Sequence, residues 1–138
     1  MANYKSLYTQ DLDRFDEPYT EVNENVVRVV CAGGNLKIIP IFVSFDADGA
    51  PLVTLSCRAI AKFKDKKLGN ITCAKLNERY EQSRFGVEFY IDDNGDIIAK
   101  TDCYVDEETC GKVVSDHVMG MFVSVDVSYP TIAKALWC

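Results

Sequence analysis

His117 is the only side chain of the usual general-base type in this chain of 138 residues. Nucleophilic catalysis requires a nucleophile, a base and a group that orients the base. Asp116 directly precedes His117, but residues one position apart on a helix do not face each other. His117 also lies beside an apolar helical stripe. This position favours a hydrogen-bonded, partly buried histidine over a catalytic one.

The cysteines are the candidate nucleophiles and metal ligands. A cysteine enzyme would use Cys103 or Cys110 with His117, although no local signature marks either thiol. Structural zinc sites use closely spaced cysteine pairs, and no two cysteines here are closer than Cys103 and Cys110. Most of the cysteines lie in apolar strand or helix patterns, so we predict that their thiols are reduced and buried. We predict no metal and no other cofactor. The six cysteines are Cys31, Cys57, Cys73, Cys103, Cys110 and Cys138.

One acidic stretch resembles the start of a calcium loop. Asp92, Asn94 and Asp96 match the first three ligand positions of an EF-hand. Ile97 stands where the invariant glycine belongs, and Cys103 stands where the bidentate glutamate belongs. We therefore interpret the stretch as a hairpin turn, because an Asn-Gly dipeptide accepts the positive φ that such turns require.

The net charge of −6 argues against nucleic-acid binding, which needs a basic face. The only concentrated basic stretch, residues 62–67, is interrupted by Asp65. The glycines match neither the dinucleotide-binding nor the P-loop pattern. No apolar run has the length of a membrane span, and the polar residues 1–11 are not followed by the apolar core of a signal peptide. The sequence therefore predicts no nucleic-acid partner and no membrane partner, and it predicts a cytoplasmic location.

The order of elements predicts an α+β domain. Grouped strands with segregated helices indicate two layers, an antiparallel sheet with helices on one face, in the order α-β-β-β-α-β-β-α. The length suits one domain covering residues 1–138. The predicted ranges are a helix at 7–15, strands at 26–32, 36–45 and 52–60, a helix at 68–82, a hairpin at 85–105, and a last helix from 106. Tyr129-Pro130 is predicted to break or kink that last helix before a final turn or two at 131–137.

Alternating apolar residues define the predicted core face of the sheet. Pro40 lies inside the second strand, which predicts an edge position or a bulge there. The first helix is predicted to end at Pro18. The predicted core contacts of these elements are Leu7, Leu12 and Phe15 on the helix, Ile39, Ile41, Val43 and Phe45 on the second strand, and Val53, Leu55, Cys57 and Ala59 on the third.

Several aromatic residues exceed what one thin core layer needs. They are Tyr90, Tyr104, Phe122, Tyr129 and Trp137, and Tyr90 lies on the polar register of its strand. Aromatic side chains on a polar sheet face often anchor a partner. The alternative is cross-strand packing, or an exposed tyrosine without a binding role. The predicted partner-binding residues are Tyr90, Tyr104, Phe122 and Trp137.

Several stretches, taken in order, resemble the YbjN family of small bacterial proteins, described as sensory transduction regulators. The stretches are 89–92 with 95–97, 45–49, and Tyr129-Pro130 followed by an apolar helix and Trp137. The resemblance covers residues from about Tyr19 to Trp137. It implies a fold similar to type III secretion chaperones, α+β units that commonly dimerise and bind extended protein segments. It supplies no catalytic residues, and the chain has no secretion-specific motif.

The leading hypothesis is a non-enzymatic, chaperone-like module for protein interaction or regulation in the cytosol. It is expected to form a homodimer and to bind another protein through its sheet face or an exposed edge strand. One alternative is a regulator that senses a small molecule or a metal through acidic turns and cysteines. The other alternative is a cysteine-dependent enzyme.

Overall fold

A computed structural model describes residues 3–79 and 85–137 of the chain. Its elements follow the order α-β-β-β-β-α-β-β-α, so the predicted α+β class is confirmed, with one short strand added. The predicted end of the second helix, residues 80–82, lies outside the described residues, and so does Cys138. The elements are α1 (Tyr4–Arg14), β1 (Thr20–Glu21), β2 (Val26–Cys31), β3 (Ile39–Phe45), β4 (Leu52–Cys57), α2 (Lys66–Asn77), β5 (Glu88–Ile91), β6 (Ile97–Tyr104) and α3 (Cys110–Trp137).

The six strands form one antiparallel sheet in the order β1-β2-β3-β4-β6-β5. Helix α3 packs on β3, β4 and β6, while α1 packs on α3 and α2 packs on β5. The helices therefore cover one face of the sheet, as predicted. The alternating apolar residues of the strands meet the helices in a single core, which includes Val27, Ile41, Val43, Val53, Leu55, Phe89, Ala99, Val114, Met121 and Val125.

The strand ends differ from the predicted ones. Strand β3 is interior to the sheet over residues 42–45 but has no neighbour on its β4 side at Pro40, so the predicted edge position is confirmed locally, and the regular alternation of burial shows that there is no bulge. Pro40 is tolerated because β4 pairs only with residues 42–45, so β3 has a single neighbour at the proline. Strand β4 ends at Cys57. The expectation that Ala59 faces the core is wrong, because Ala59 is exposed and turns the chain with a φ of 53°.

Helix α1 starts earlier and ends earlier than predicted. The side chain of Asn3 caps it by accepting a hydrogen bond from the Ser6 N–H at 3.0 Å. The helix ends at Arg14, and Asp16 turns the chain with a φ of 54° before Pro18 is reached. The predicted core contact of Phe15 is wrong, because its side chain lies beyond the last helical turn and is 68% exposed.

Helix α3 runs through Pro130 to Trp137, so of the predicted break or kink the break is wrong. A proline has no N–H, and the carbonyl of Asp126, four residues earlier, loses its helical donor. The side chain of Asn35 replaces that donor: its Nδ2–H donates to the Asp126 carbonyl oxygen at 2.9 Å. The loop between β2 and β3 thus satisfies the backbone group that the proline leaves open.

The carboxylate of Asp126 holds the same loop from its other side. It accepts backbone hydrogen bonds from Leu36 and Asn35, both at 2.9 Å, and from Gly34 at 3.2 Å. Gly33 must be a glycine for this approach, because a Cβ atom there would clash with the Asp126 carboxylate and lie 2.8 Å from the Leu36 carbonyl oxygen. The loop therefore docks on α3 and leaves β3 to begin only at Ile39.

This docking gives the stability a specific pH dependence. The N–H groups of Leu36, Asn35 and Gly34 hold the pKa of the Asp126 carboxyl below its usual range. Its stabilising contribution is therefore complete above the unfolded pKa of about 3.9 and is lost as the pH falls through the lower folded value. We expect Asp126→Asn to lower the melting temperature at pH 7, because an amide nitrogen would face the Gly34 N–H.

Thermal unfolding of both proteins from pH 7 to pH 2 tests this expectation. The difference between the wild-type and variant melting temperatures should shrink below about pH 4, as the wild-type carboxyl becomes protonated. A difference that stays constant down to pH 2 would contradict the proposed role of the Asp126 charge.

Candidate protein-interaction face

The sheet face opposite the helices, here called the outer face, is the candidate site. No described helix packs on it. Its centre is a cross-strand row that passes through all six strands, because each residue pairs with the next across the sheet. The row consists of Thr20, Arg28, Phe42, Ser56, Lys100 and Glu88. Both signs of charge and one aromatic ring thus share the middle of an uncovered surface.

Two of the predicted partner-binding residues lie on the outer face. Tyr104 pairs with Leu52 at one end of the face and is 79% exposed. Tyr90 pairs with Ile98 at the other end and is 43% exposed. Six residues of β6 separate these two pairs, a distance of roughly 20 Å at about 3.3 Å per residue. The two tyrosines therefore bracket the face rather than forming one cluster.

A polar pair, Thr54 and Asp102, lies in the row next to Tyr104 and its partner Leu52. The Thr54 hydroxyl donates a hydrogen bond to the Asp102 carboxylate at 2.7 Å, which orders the row next to the Tyr104 pair. An exposed aromatic ring with a polar rim is the usual composition of an interface anchor.

The other two predicted residues lie on the helical side. Phe122 is half-buried and packs against the core, whereas Trp137 is 72% exposed in the last turn of α3. Fifteen residues of helix separate them, about 22 Å at 1.5 Å per residue. Tyr129 is half-buried between them. The structure thus places the four predicted residues on two different sides of the sheet.

The β5 edge of the sheet is closed by a side chain of α2. The Asn77 Nδ2–H donates to the Phe89 carbonyl oxygen at 2.8 Å, and the Phe89 N–H donates to Asn77 Oδ1 at 2.7 Å. The amide therefore takes both outward-facing backbone groups of Phe89, as a neighbouring strand would. Unpaired edge groups invite strand addition, and Asn77 blocks it in the middle of β5.

Replacing Asn77 by alanine should open this edge. We expect a loss of about 1 to 2 kcal/mol of unfolding free energy from the two hydrogen bonds. The released strand edge should also promote self-association. Urea unfolding and sedimentation velocity would measure the two effects, and Asn70→Ala, on an exposed position of the same helix, is the control. Equal stability and equal sedimentation of both variants would contradict this role of Asn77.

The opposite edge is only partly covered. Strand β1 pairs with Val27 and Arg28 and extends no further along β2. On this side the Val22 N–H donates to the Val26 carbonyl, so the backbone groups of Val26 point toward the edge. Because backbone groups alternate sides along an antiparallel strand, Val30 also directs its N–H and carbonyl toward this edge. Continuing the β1 register places Pro18 opposite Val30, and a proline has no N–H to donate. A short open edge therefore borders the outer face.

The described cysteines are free, and burial keeps their thiols protonated at neutral pH. Cys57, Cys73, Cys103 and Cys110 are buried, and Cys31 is half-buried. Burial raises the pKa of Cys57 to about 12 and that of the other three buried thiols to about 11. A thiolate is the reactive form, so these environments oppose nucleophilic chemistry.

His117 does not form a dyad with Cys110. Its Nδ1 lies 2.9 Å from the carbonyl oxygen of Val113, and because a carbonyl only accepts, Nδ1 carries the hydrogen. Its ring packs edge-on against Phe85, with 5.8 Å between ring centroids. Cys110 lies seven residues earlier on α3, roughly 10 Å along the axis, and its sulfur contacts the Tyr4 carbonyl. The geometry therefore gives no support to an enzyme that pairs Cys110 with His117.

The acidic turns use their carboxylates internally. Asp92 Oδ1 accepts the N–H groups of Asn94 at 2.9 Å and Asp96 at 3.0 Å. Asp46 likewise accepts two backbone N–H groups of its own turn. Within residues 3–79 and 85–137, no three His, Cys, Asp or Glu side chains are grouped so that they could hold a metal ion. The hairpin interpretation of the calcium-like stretch agrees with these bonds.

A largely apolar cavity lies between α1, β2 and α3. It has a volume of about 540 Å³. Its walls combine apolar residues with charged ones: Tyr8, Leu12, Val29 and Val118 on the one hand, and Asp11, Arg14, Glu17 and Lys112 on the other. This volume is in the usual range for a small-molecule pocket. The cavity has no signature in the sequence, because residues from three separate segments form it.

Comparisons with solved structures show the fold of this chain. It is similar to a chain of the heterodimeric ExoU-SpcU complex from the type III secretion system of Pseudomonas aeruginosa, with a TM-score of 0.57 and 14% identity over 93% of this chain and 96% of the other. It is also similar to the Yersinia pestis type III secretion chaperone SycH in complex with a fragment of YscM2, with a TM-score of 0.58 and 14% identity over 89% and 97%.

A third similar structure is the ExsC-ExsE complex, with a TM-score of 0.59 and 10% identity over 91% of this chain and 90% of the other. The predicted likeness to type III secretion chaperones is therefore confirmed for the fold. No family model matches the sequence, and no curated protein matches it. The resemblance to the YbjN family stays a prediction. None of the described helices is long and apolar enough to cross a membrane.

Proposed function

We propose that this protein is a non-enzymatic, chaperone-like module that binds a segment of another protein on its outer face. The observation that carries the proposal is the uncovered sheet face with Tyr104 and Tyr90 at its two ends. Tyrosine supplies a large contact area at a low entropic cost, and a polar surround excludes water from such anchors. A sheet face that no described helix covers leaves room for an extended partner.

The three similar structures support a protein partner. Each of them is a complex of two proteins, and one of the matched proteins is a type III secretion chaperone. Similarity of fold does not transfer a client, so the identity of the bound protein is open to experiment. We propose a cytoplasmic location, a regulatory role of the YbjN kind and a homodimeric state as parts of the same account.

The geometry favours binding on the face over binding at an edge. Asn77 occupies the outward groups of β5 at Phe89, and the open edge of β2 offers the backbone groups of Val30 alone. An added strand needs several consecutive backbone bonds. The outer face instead offers the whole width of six strands. A partner segment on the face can still contact the Val30 edge where it passes β2.

Affinity capture from lysate of the native organism under reducing conditions tests the proposal. Mass spectrometry would identify the captured protein, and light scattering would give the mass of the eluted complex. A stoichiometric partner with a defined complex mass is the expected result. A clean monomer or homodimer that captures nothing, at a concentration where the protein is folded, would contradict the protein-binding proposal.

A second candidate function is favoured by the cavity between α1, β2 and α3. Its apolar lining fits a small hydrophobic molecule, which would make the protein a ligand-responsive regulator. A ligand that binds only the folded state raises the melting temperature. Thermal unfolding in the presence of hydrophobic metabolites therefore tests this candidate. Unchanged melting temperatures across the screen would count against it.

A further inference from the structure

A second groove lies on the helical side, between α2 and the end of α3. On α2 it is lined by Leu68, Ile71, Thr72 and Lys75, which follow the i, i+3, i+4, i+7 spacing of one helix face. On α3 it is lined by Thr131, Lys134 and Ala135. The groove has a volume of about 520 Å³ and is open to solvent along its length.

The floor of the groove is apolar and unusually exposed. Ile71 is 47% exposed and Leu68 is 38% exposed, although both belong to the apolar stripe of α2. Trp137 lies three residues after Lys134, on the same side of α3, and is 72% exposed. A stripe of this kind on a helix surface is the pattern that receives an amphipathic partner helix.

The rim of the groove is basic, although the chain as a whole carries a net charge of −6. Lys75 and Lys134 stand on its two sides, and neither forms an ion pair with any described residue. Lys66 and Lys67 begin α2 at one end of the groove. The nearby Asp65 carboxylate accepts the N–H groups of Lys67 and Leu68 as the helix cap.

We propose that this groove binds an acidic amphipathic segment of a protein partner. Apolar side chains of the segment would cover Leu68 and Ile71, and its carboxylates would pair with Lys75 and Lys134. Complementary charge of this kind steers association and selects partners. The groove lies on the far side of the sheet from the outer face, so this surface adds to the proposed function and does not depend on it.

The charges favour this occupant over the others. A two-fold interface centred on the groove would bring Lys75 and Lys134 of both copies close together, and like charges disfavour that contact. Nucleic acid needs a basic face rather than an apolar floor with a basic rim. A membrane surface is bound by an amphipathic helix whose apolar face is free to insert, whereas the apolar stripe of α2 forms one wall of a groove whose other wall is α3.

Tryptophan fluorescence provides a direct assay, because Trp137 is the only tryptophan in the chain. The probe is a synthetic helical peptide of about 16 residues without tryptophan, with leucines at the i, i+3, i+4, i+7 spacing and glutamates flanking them. We expect a saturable shift of the Trp137 emission to shorter wavelength. Peptide anisotropy, followed with a fluorescent label on the peptide, gives the same dissociation constant independently.

Charge reversal distinguishes charge-specific peptide binding from non-specific adsorption. Lys75→Glu combined with Lys134→Glu should raise the dissociation constant at least tenfold, and a peptide with lysines in place of the glutamates should then bind the reversed variant better than the wild type. Lys37→Glu, at an exposed loop position, is the matched control and should change little. Circular dichroism checks that each variant is folded. Tyr104→Ala should leave peptide binding unchanged, which keeps this test separate from that of the outer face.

The proposal is overturned if charge reversal leaves the dissociation constant unchanged, or if acidic and basic peptides bind the wild type equally. It is also overturned if the Trp137 shift appears without peptide as the protein concentration rises and disappears in Ile71→Asp, because the occupant would then be a second copy. Anionic phosphatidylserine vesicles that produce the shift where the peptide does not would assign the groove to a membrane surface instead.

Discussion

Gly95→Ala should destabilise the protein by roughly 3 kcal/mol, because two effects add. Gly95 has a φ of +86°, a conformation that side chains with a Cβ atom rarely adopt. A Cβ atom at Gly95 would also clash with the carbonyl oxygen of Phe63, which is backbone and cannot rotate away. The Phe63 N–H donates to the Gly95 carbonyl at 2.8 Å, so the two backbones cannot separate without breaking that bond.

Gly86→Ala is the matched control for this prediction. Gly86 has a similar φ of +66°, but among the described residues a Cβ atom there would meet only the Thr101 hydroxyl, at 3.4 Å. We therefore expect a loss of about 1 kcal/mol from backbone strain alone. Urea unfolding should lower the midpoint of Gly95→Ala by about 1.5 M relative to wild type. Equal midpoints for the two variants would show that the Phe63 contact is not tight.

Tyr104→Ala should weaken partner binding by about 30-fold, or about 2 kcal/mol, the size typical of an interface anchor. Tyr104 is 79% exposed and contributes little to the core, so unfolding free energy should change by less than about 0.5 kcal/mol. The measurement is the dissociation constant for the protein that the wild type captures, determined by calorimetry. The expected effect thus separates binding from folding in one substitution.

Phe15→Ala is the control for Tyr104→Ala. Phe15 is an aromatic residue of similar exposure, 68%, but it follows α1 on the helical side of the sheet. Its removal should leave the dissociation constant within about twofold of wild type, as expected for a residue outside the interface. An equal loss in both variants would indicate non-specific adhesion of aromatic side chains. No loss in Tyr104→Ala would remove that residue from the site.

The spacing of apolar residues predicted the helices and strands, because that spacing reflects which side of an element is buried. The alternation of Ile39, Ile41 and Val43 identified the core face of β3, and the stripe of Val114 and Met121 identified the buried side of α3. Both predictions rest on the spacing of apolar residues within one element, which can be seen in a single sequence.

The structure differs from the predictions at positions whose structure depends on a residue far away in the sequence. Pro130 ends a helix in isolation, but Asn35 satisfies the carbonyl that it leaves open, so α3 continues. In the sequence, Asn77 is indistinguishable from an ordinary polar residue of α2. Only the tertiary structure brings its amide to the backbone of Phe89. Asparagine near the end of a helix was the only sequence signal, and it is too common to identify a closed edge.

The candidate site was predicted in part for the same reason. The polar register of β5 correctly placed Tyr90 on the exposed side of its strand. Aromatic content alone could not assign Phe122 and Trp137 to a side of the sheet, because a helix with a wide apolar stripe contacts the core over much of its circumference. The basic groove was also missed, since Lys75 and Lys134 come from segments far apart in the sequence.

Site-specific photocrosslinking tests the central claim, that a partner protein binds on the outer face, most directly. A photoreactive amino acid would replace Lys100, at the centre of the outer face, or Lys112, an exposed lysine on α3. Irradiation in cells of the native organism, followed by mass spectrometry, identifies what each position touches. The account predicts one defined protein crosslinked from position 100 and not from position 112. Crosslinking of that protein from position 112 alone would contradict it.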